Sequence, residues 1–423
     1  MNWLKASSVT ALAQIVRLLC GLIIIKLIAM TLGTDGFGRL GHFMSLVSIL
    51  SVLAGGGILN GIVKYVAEYR SRPDTLFAFL SNAALYSLIF SSVLCVVMTL
   101  FSENISVFLF DNGHYSSHIV FLGIIQFAYG LVTFCNGIIN GLTETRKFAR
   151  ISIIGSLFSL PIACLLLYQY GFSGAVAGLA IINASLLPPA LFEIYRLGYL
   201  KKIRLVLDKS EFAKISRFSV MQIVSLATLP VAEIVIRNSI AQHFGWQETG
   251  LWQGLMRLSS VYVGFFTMFL GAYYLPILSG LTDRTRSFQY AVKYLVSTGS
   301  AFFVIAVAVF VFRHYVFIIV FSDKFIIPTS FVQYQLIGDF FKIASYVIGF
   351  LIVAKANSTL YILGEIIQTG LYFGISIGFI QTGDVTNVFA AYALSNFLYF
   401  LVCLTGLLMY GRHSPTVFNN DRI

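Results

Sequence analysis

Eight charged residues lie inside segments of this chain that are otherwise apolar enough to cross a membrane. They are Arg17, Lys26, Glu233, Arg237, Arg257, Asp339, Lys342 and Glu365. Each costs roughly 3 kcal/mol at a bilayer centre, so eight such side chains facing lipid would cost on the order of 20 kcal/mol. We therefore expect them to face a protein interior or a water-filled cavity. Five of the eight are cationic, which predicts a net positive cavity suited to an anionic cargo.

The composition indicates what kind of protein must hold these charges. The 423 residues are 58% hydrophobic and 11% charged, with a mean hydropathy of +0.87. Soluble proteins carry about 25% charged residues, so we predict an all-α polytopic membrane protein. The net charge of +11 could indicate nucleic acid, but no basic cluster lies on a soluble segment. Nucleic acid is therefore not an expected partner.

Twelve windows of about 20 apolar residues predict transmembrane helices. They cover approximately 8–32, 40–64, 76–101, 117–142, 150–169, 172–195, 212–240, 250–276, 291–313, 331–354, 358–380 and 385–411. Most of the 28 lysines and arginines fall in alternate loops, which predicts that both termini are cytoplasmic. No loop is long enough for a soluble catalytic domain.

The two halves of the chain resemble each other. The run Ile23–Lys26 matches Ile234–Arg237, and Gly38 and Gly137 match glycines 212 residues further on. We predict an N-terminal six-helix bundle at 1–195, a cytoplasmic linker at 196–211, and a C-terminal six-helix bundle with a short cytoplasmic tail at 212–423. Substrate sites in such duplicated transporters lie between the halves, near the bilayer midplane.

Most of the charges fall on polar stripes at helical spacing. The stripes are Gln222, Glu233 and Arg237 on span seven; Gln253, Arg257 and Ser260 on span eight; Gln335, Asp339, Lys342 and Tyr346 on span ten; and Tyr361, Glu365, Gln368 and Tyr372 on span eleven. Span one differs, because Arg17 and Lys26 are nine residues apart and lie on opposite faces of a straight helix.

The charges also have a purely structural interpretation. Glu233 with Arg237, and Asp339 with Lys342, have the spacing of ion pairs within one helix and could neutralise each other. Arg257 and Lys26 have no acidic residue at helical spacing on their own spans, which favours a functional role for these two.

Glycine and proline residues mark possible bends. Gly55–Gly57 interrupt span two, and glycine costs about 1 kcal/mol in a helix relative to alanine. Pro161 and Pro230 could kink their helices or serve packing only.

Several signatures are absent from the sequence. It contains no Walker A motif, no CxxC and no HExxH. The five cysteines all fall in predicted spans, so we expect no disulfide. One pattern of possible metal ligands, Asp111, His114 and His118, falls outside the predicted membrane interior and is more typical of a solvated loop than of a metal site. We therefore expect no metal and no cofactor.

Five segments together resemble a known family. They are Gly57–Tyr69, Leu251–Arg257, Tyr274–Leu278, Gln335–Lys342 and Ala354–Ala356. They resemble Wzx-type flippases of the polysaccharide-transport branch of the multidrug/oligosaccharidyl-lipid/polysaccharide (MOP) exporter superfamily. The resemblance is nearest to flippases for O-antigen units and enterobacterial common antigen.

The resemblance implies a fold similar to that of MATE drug/cation antiporters, with two six-helix bundles. It implies movement of undecaprenyl-pyrophosphate-linked oligosaccharide from the cytoplasmic to the periplasmic leaflet of the bacterial inner membrane, beside a polymerase and a chain-length regulator. The family's cationic cavity residues would map onto Lys26, Arg237, Arg257 and Lys342.

The mechanism expected from these patterns is alternating access around a cationic cavity that also includes Arg17. Gln253, Gln335, Tyr346 and Tyr361 would contact sugar hydroxyls, with the lipid tail left in the membrane. Asp339, Glu365 or Glu233 would couple transport to H⁺ or Na⁺. Two alternatives remain: a drug or cation antiporter of the same fold, which favours an acidic cavity, and a membrane-embedded enzyme, for which no signature is present.

Overall fold

The computed structural model describes residues 3–203, 208–355 and 358–412, and within these ranges the regular structure is entirely helical. The first seven helices are α1 Trp3–Leu53, α2 Leu59–Tyr69, α3 Pro73–Leu100, α4 Ser102–Phe110, α5 Ser116–Gly141, α6 Thr145–Ala184 and α7 Leu187–Arg196. The others are α8 Lys209–Phe269, α9 Leu275–Gly280, α10 Arg284–Val311, α11 Arg313–Val320, α12 Thr329–Ala354, α13 Ser358–Ile380 and α14 Thr386–Arg412. The prediction of an all-α membrane protein is confirmed.

Three helices are too long for one crossing, and each is broken at a glycine. Helices α1, α6 and α8 have 51, 40 and 61 residues, whereas about 20 residues span a bilayer. Their backbones leave the helical region only at Gly33, Gly171 and Gly245, with φ of 66°, 54° and 87°. Glycine adopts this left-handed conformation without steric cost. Pro161 and Pro230 lie inside α6 and α8 but cause no comparable break.

The described residues contain nine apolar segments that could cross a membrane. Three of them, with 52 to 58 residues, contain the glycine breaks or the interruption after α1. If each of these three crosses the membrane twice, the segments agree with the twelve predicted spans.

The chain divides into two compact units. The first comprises Met1–Asn238 with Val320–Lys324, and the second comprises Ser239–Ile319 with Phe325–Ile423. The first unit thus includes 212–238, which the sequence assigned to the C-terminal bundle, and the predicted boundaries stay a prediction. The repeat itself gains support, because Gly33 and Gly245, and Gly171 and Gly383, are positive-φ glycines 212 residues apart.

Close helix contacts at small residues hold the first unit together. A Cβ atom added at Gly137 or Gly141 of α5 would lie 2.8 or 2.6 Å from the Cβ atom of Ile62 or Val66 on α2. Small residues allow this approach between membrane helices. The interruption after α1 packs in the same way, since a Cβ at Gly55 would lie 2.6 Å from the Ser87 hydroxyl.

Aromatic and aliphatic side chains form the interior of the second unit. Leu270, Tyr274 and Leu278 pack with Val347 and other buried residues of α12 and α14. The backbone at Leu270–Tyr274 forms a π-helical turn between α8 and α9. Within this apolar interior, Asp339 of α12 and Tyr392 of α14 are buried polar side chains that contact each other.

Candidate functional site

The structure distributes the eight predicted charges between the two units. Arg17, Lys26, Glu233 and Arg237 belong to the first unit, and Arg257, Asp339, Lys342 and Glu365 to the second.

Arg17 and Lys26 occupy different surroundings on α1. The Arg17 Nη2 atom donates to Asn183 Oδ1 at 3.1 Å, and the Asn183 amide donates to the Ser51 hydroxyl at 3.1 Å. Lys26 is half-buried, and among the described residues it has no ion pair or hydrogen bond. Because the helix is regular up to Gly33, the two cations stay on opposite faces. Of the two predicted cations on α1, Lys26 is the one that has no hydrogen-bond partner among the described residues, whereas Arg17 has Asn183.

Arg237 is buried, with 1% of its surface exposed. Its Nη1 atom donates to the Ser45 hydroxyl at 3.1 Å, and its charge acts on the neighbouring ring of His42. Glu233, one turn earlier, is half-buried and forms no ion pair within the described part of the chain. The Glu233–Arg237 pair that spacing alone permitted is therefore not formed, and the guanidinium is held by α1.

Asp339 is a buried carboxylate of the second unit that accepts several hydrogen bonds. It is 0% exposed, and its Oδ1 atom accepts from Ser259 Oγ at 2.5 Å and Tyr392 Oη at 2.6 Å. Its Oδ2 atom accepts from Tyr262 Oη, and the Gln335 amide lies 3.3 Å from Oδ2 and 3.4 Å from Oδ1. A carboxylate has about four acceptor positions, and these donors fill them. Asp339 thus joins α8, α12 and α14.

Lys342 is associated with an aromatic ring rather than paired with Asp339. The distance from Lys342 Nζ to the centroid of the Tyr392 ring is 5.7 Å. No ion pair joins Lys342 to Asp339 within the described residues, although the two charges interact at longer range. The Tyr392 ring thus faces the Lys342 ammonium, and its hydroxyl donates to Asp339.

Glu365 lies among tyrosines. Its carboxylate interacts with the Tyr361 hydroxyl and with the charge of Lys342. Tyr399 of α14 and Tyr346 of α12 lie nearby. Tyr361 is 40% exposed, so this cluster is open on one side. Hydroxyls, a carboxylate and a cation together can bind the polar face of a sugar.

The remaining predicted residues differ in accessibility. Arg257 is half-buried on α8, while Gln253 and Gln335 are buried at 5% and 1% exposure. The Gln335 amide already donates to Asp339 in the interior of the second unit. It is therefore engaged in a contact within the protein. In the described part of the chain no three metal-ligating side chains lie close enough to hold an ion.

Several residues that complete these contacts were not predicted. The donors to Asp339 at Ser259, Tyr262 and Tyr392 are 80, 77 and 53 residues away in sequence. The i, i+3 spacing of Ser259 and Tyr262 was the only local signal available. Asn183 and His42 gave no signal, because single polar residues in apolar spans are common.

Comparison with known proteins identifies the family. A family model described as polysaccharide biosynthesis protein matches residues 3–282, more than half of the chain. The lipid III flippase of Escherichia coli strain K12 is 31% identical over 417 residues, which cover 98% of this chain and 100% of that relative. The chain belongs to the polysaccharide biosynthesis protein family. It is a flippase of the MOP superfamily, a transporter rather than an enzyme.

Solved structures agree in fold. The lipid II flippase MurJ in an inward closed conformation has a TM-score of 0.76 at 14% identity, covering 96% of this chain and 90% of that one. An inward-facing MATE multidrug resistance transporter of the MOP superfamily has a TM-score of 0.71 at 16% identity, covering 94% and 96%. The predicted MATE-like fold is confirmed.

Proposed function

We propose that this chain moves an undecaprenyl-pyrophosphate-linked oligosaccharide, an O-antigen unit of lipopolysaccharide, from the cytoplasmic to the periplasmic leaflet. The observation that carries the proposal is full-length similarity to a lipid III flippase in a chain with five cations inside its spans. Drug and cation extrusion would instead favour an acidic site.

Four cations are the proposed contacts of the pyrophosphate. Lys26 and Arg237 would act in the first unit, and Arg257 and Lys342 in the second. An arginine offers two parallel donors to phosphate oxygens, whereas a lysine acts as a point charge. Arg17 has a subordinate place here, because the family resemblance maps no cationic cavity residue onto it.

Glu365 is the proposed coupling residue for H⁺ or Na⁺ in alternating access. Asp339 cannot take a proton without releasing one of its donors, since a protonated carboxyl must itself donate. Glu365 is half-buried and has few partners, so it can exchange an ion more freely. Glu233, which is also half-buried, is the second candidate. Tyr346 and Tyr361, next to Glu365, are the proposed sugar contacts.

A second candidate cargo is lipid III, the lipid that gives the Escherichia coli relative its name. Both cargoes place a negative charge near the membrane and a sugar beyond it. The cationic residues suit either cargo. The side chains that contact the sugars must therefore distinguish the O-antigen unit from lipid III.

The proposed setting follows from the cargo and from the loop charges. The protein would lie in the bacterial inner membrane with both termini cytoplasmic, in agreement with the positive-inside rule. A polymerase and a chain-length regulator would act on the flipped units.

Restoration of glycan display in living cells tests the proposal. The chain is expressed in one strain that lacks its O-antigen flippase and in another that lacks its lipid III flippase. Surface O-antigen and the polymer derived from lipid III are then measured, together with tolerance to cationic drugs. We expect O-antigen display to return, and Arg237→Ala and Arg257→Ala to reduce it about tenfold or more.

Arg286→Ala is the matched control, because this arginine lies in the first turn of α10, before the predicted span 291–313, with 73% of its side chain exposed. It should display glycan like the unchanged protein. Restoration of the lipid III polymer alone would replace the O-antigen assignment. Increased drug tolerance without restoration of either glycan would overturn the flippase proposal in favour of an antiporter.

A further inference from the structure

Tyr392 lies between two opposite charges of α12. Its hydroxyl donates to Asp339 Oδ1 at 2.6 Å, and its ring centroid is 5.7 Å from Lys342 Nζ. Only 3% of its surface is exposed. An ammonium within about 6 Å of a ring centroid is attracted to the ring face. One side chain from α14 thus contacts both ends of an acid–base pair that do not contact each other.

The ring is fixed in place by its neighbours. A Cβ atom added at Gly338 would lie only 2.5 Å from Tyr392 Cδ1, so the ring rests directly on the backbone of α12. Tyr372 of α13 contacts it edge-on, with centroids 5.7 Å apart. The hydroxyl is held by Asp339. Gly338, Tyr372 and Asp339 together restrain the position of the ring.

We infer that Tyr392 is a positioning residue that holds the ammonium of Lys342 for the anionic head group of the cargo. The inference rests on the proposed function, in which Lys342 contacts the pyrophosphate. A lysine side chain has many rotamers, and ordering it at the moment of binding costs free energy. A ring that already holds the ammonium reduces this cost.

Tyr262 provides an internal comparison for this role. It donates to the other oxygen of the same carboxylate and packs against Phe302 with ring centroids 5.3 Å apart. Among the described residues no cation lies over its ring. Tyr262, like Tyr392, donates a hydrogen bond to Asp339, but it does not contact Lys342 through its ring. Substituting Tyr262 therefore measures the effect of losing a hydrogen bond to Asp339 without changing the position of Lys342.

The test measures Lys342 directly in purified full-length protein. The rate of Lys342 acylation by an amine-reactive reagent is followed by mass spectrometry for Tyr392→Leu, Tyr392→Phe, Tyr262→Leu and the unchanged protein. Affinity for undecaprenyl-pyrophosphate oligosaccharide is measured for the same set, with and without Lys342→Gln.

We expect Tyr392→Leu to raise the acylation rate and weaken cargo affinity, each by about 3- to 30-fold, the range of cation–π interactions. Tyr392→Phe keeps the ring and should change both by less than about threefold. Tyr262→Leu should leave Lys342 acylation unchanged. In the Lys342→Gln background, Tyr392→Leu should have no further effect on affinity.

Equal acylation rates in Tyr392→Leu and the unchanged protein would overturn the positioning role, and so would equal increases in Tyr392→Leu and Tyr262→Leu. Should Tyr392→Leu not fold, Tyr392→Met also removes the ring, fills the space with a more adaptable unbranched side chain, and carries the same expectations. If Lys342→Gln leaves cargo affinity intact while Tyr392→Leu still raises acylation, Tyr392 positions Lys342 and the proposed pyrophosphate contact of Lys342 is wrong.

Discussion

At the scale of single residues, two buried charges of the predicted spans, Asp339 and Arg237, are hydrogen-bonded to neutral groups. Asp339 accepts from three hydroxyls and an amide, and Arg237 donates to a serine. Neither depends on the oppositely charged residue nearest in sequence. Neutral partners compensate the loss of water without cancelling the charge.

Replacing Asp339 should destabilise the second unit. Asp339→Ala leaves four donors from three helices without their acceptor, and each unsatisfied buried group costs about 1–3 kcal/mol. We expect a loss of at least 3 kcal/mol in unfolding free energy, measured by heating in detergent and following reaction of the partly buried thiol of Cys403, which belongs to the second unit. Asp323→Ala, at an exposed position, should melt like the unchanged protein, and equal melting of both variants would contradict the network.

The Arg150–Glu193 ion pair should matter far more than an exposed one. The Arg150 Nη1 and Glu193 Oε1 atoms are 2.6 Å apart, and the Glu193 side chain is 2% exposed. Because the Arg150 side chain is itself 49% exposed, the pair is only partly buried, and Arg150→Ala should cost about 1–3 kcal/mol, the cost of an unsatisfied buried group. Arg286→Ala breaks an exposed pair with Asp283, worth about 0–1 kcal/mol. Melting temperatures in detergent show which variant is destabilised more. A larger decrease for Arg286→Ala than for Arg150→Ala would refute the prediction.

The sequence revealed which residues were charged but only part of what they contact. Helical spacing correctly grouped Gln335 with Asp339 on one face of a helix, because that relation is local. It also permitted ion pairs that are not formed, because the true partners of Asp339 come from α8 and α14. Contacts between distant segments depend on packing, which spacing within one segment does not contain.

At the scale of elements, glycines set where helices break. The breaks at Gly33, Gly171 and Gly245 all use positive φ, and Gly55–Gly57 do so in succession after α1. The interruption at Gly55–Gly57 was predicted from the density of glycines. The other three were not, since an isolated glycine in a helix is tolerated. Pro161 and Pro230, which could kink their helices or serve packing only, lie inside α6 and α8 without a comparable break.

The break at Gly171 brings α6 back onto itself, and Gly174 should tolerate no side chain. A Cβ atom there would lie 1.9 Å from the carbonyl oxygen of Leu166. Gly174→Ala should therefore greatly reduce the yield of folded protein in size-exclusion chromatography. Gly349→Ala, where no atom lies within 4 Å, should be neutral or stabilise by up to about 1 kcal/mol. Normal yield of Gly174→Ala would contradict the described geometry of α6.

At the scale of the whole molecule, composition and hydropathy were sufficient for the fold class. The apolar windows of about 20 residues have the length of transmembrane helices, which satisfy their backbone groups within their own segment. The superfamily came from motif resemblance and is confirmed by full-length similarity. The bundle boundaries could not be tested in the same way, because the first compact unit includes 212–238 and 320–324.

The central claim is that cations within the spans of this chain carry a pyrophosphate-linked oligosaccharide across the bilayer. Its most direct test is transfer of labelled undecaprenyl-pyrophosphate oligosaccharide between leaflets of proteoliposomes containing only the purified protein. We predict transfer by the unchanged protein and by Arg286→Ala, and a loss of about tenfold or more in Arg237→Ala and Arg257→Ala. Transfer at the full rate in both Arg237→Ala and Arg257→Ala would contradict the claim.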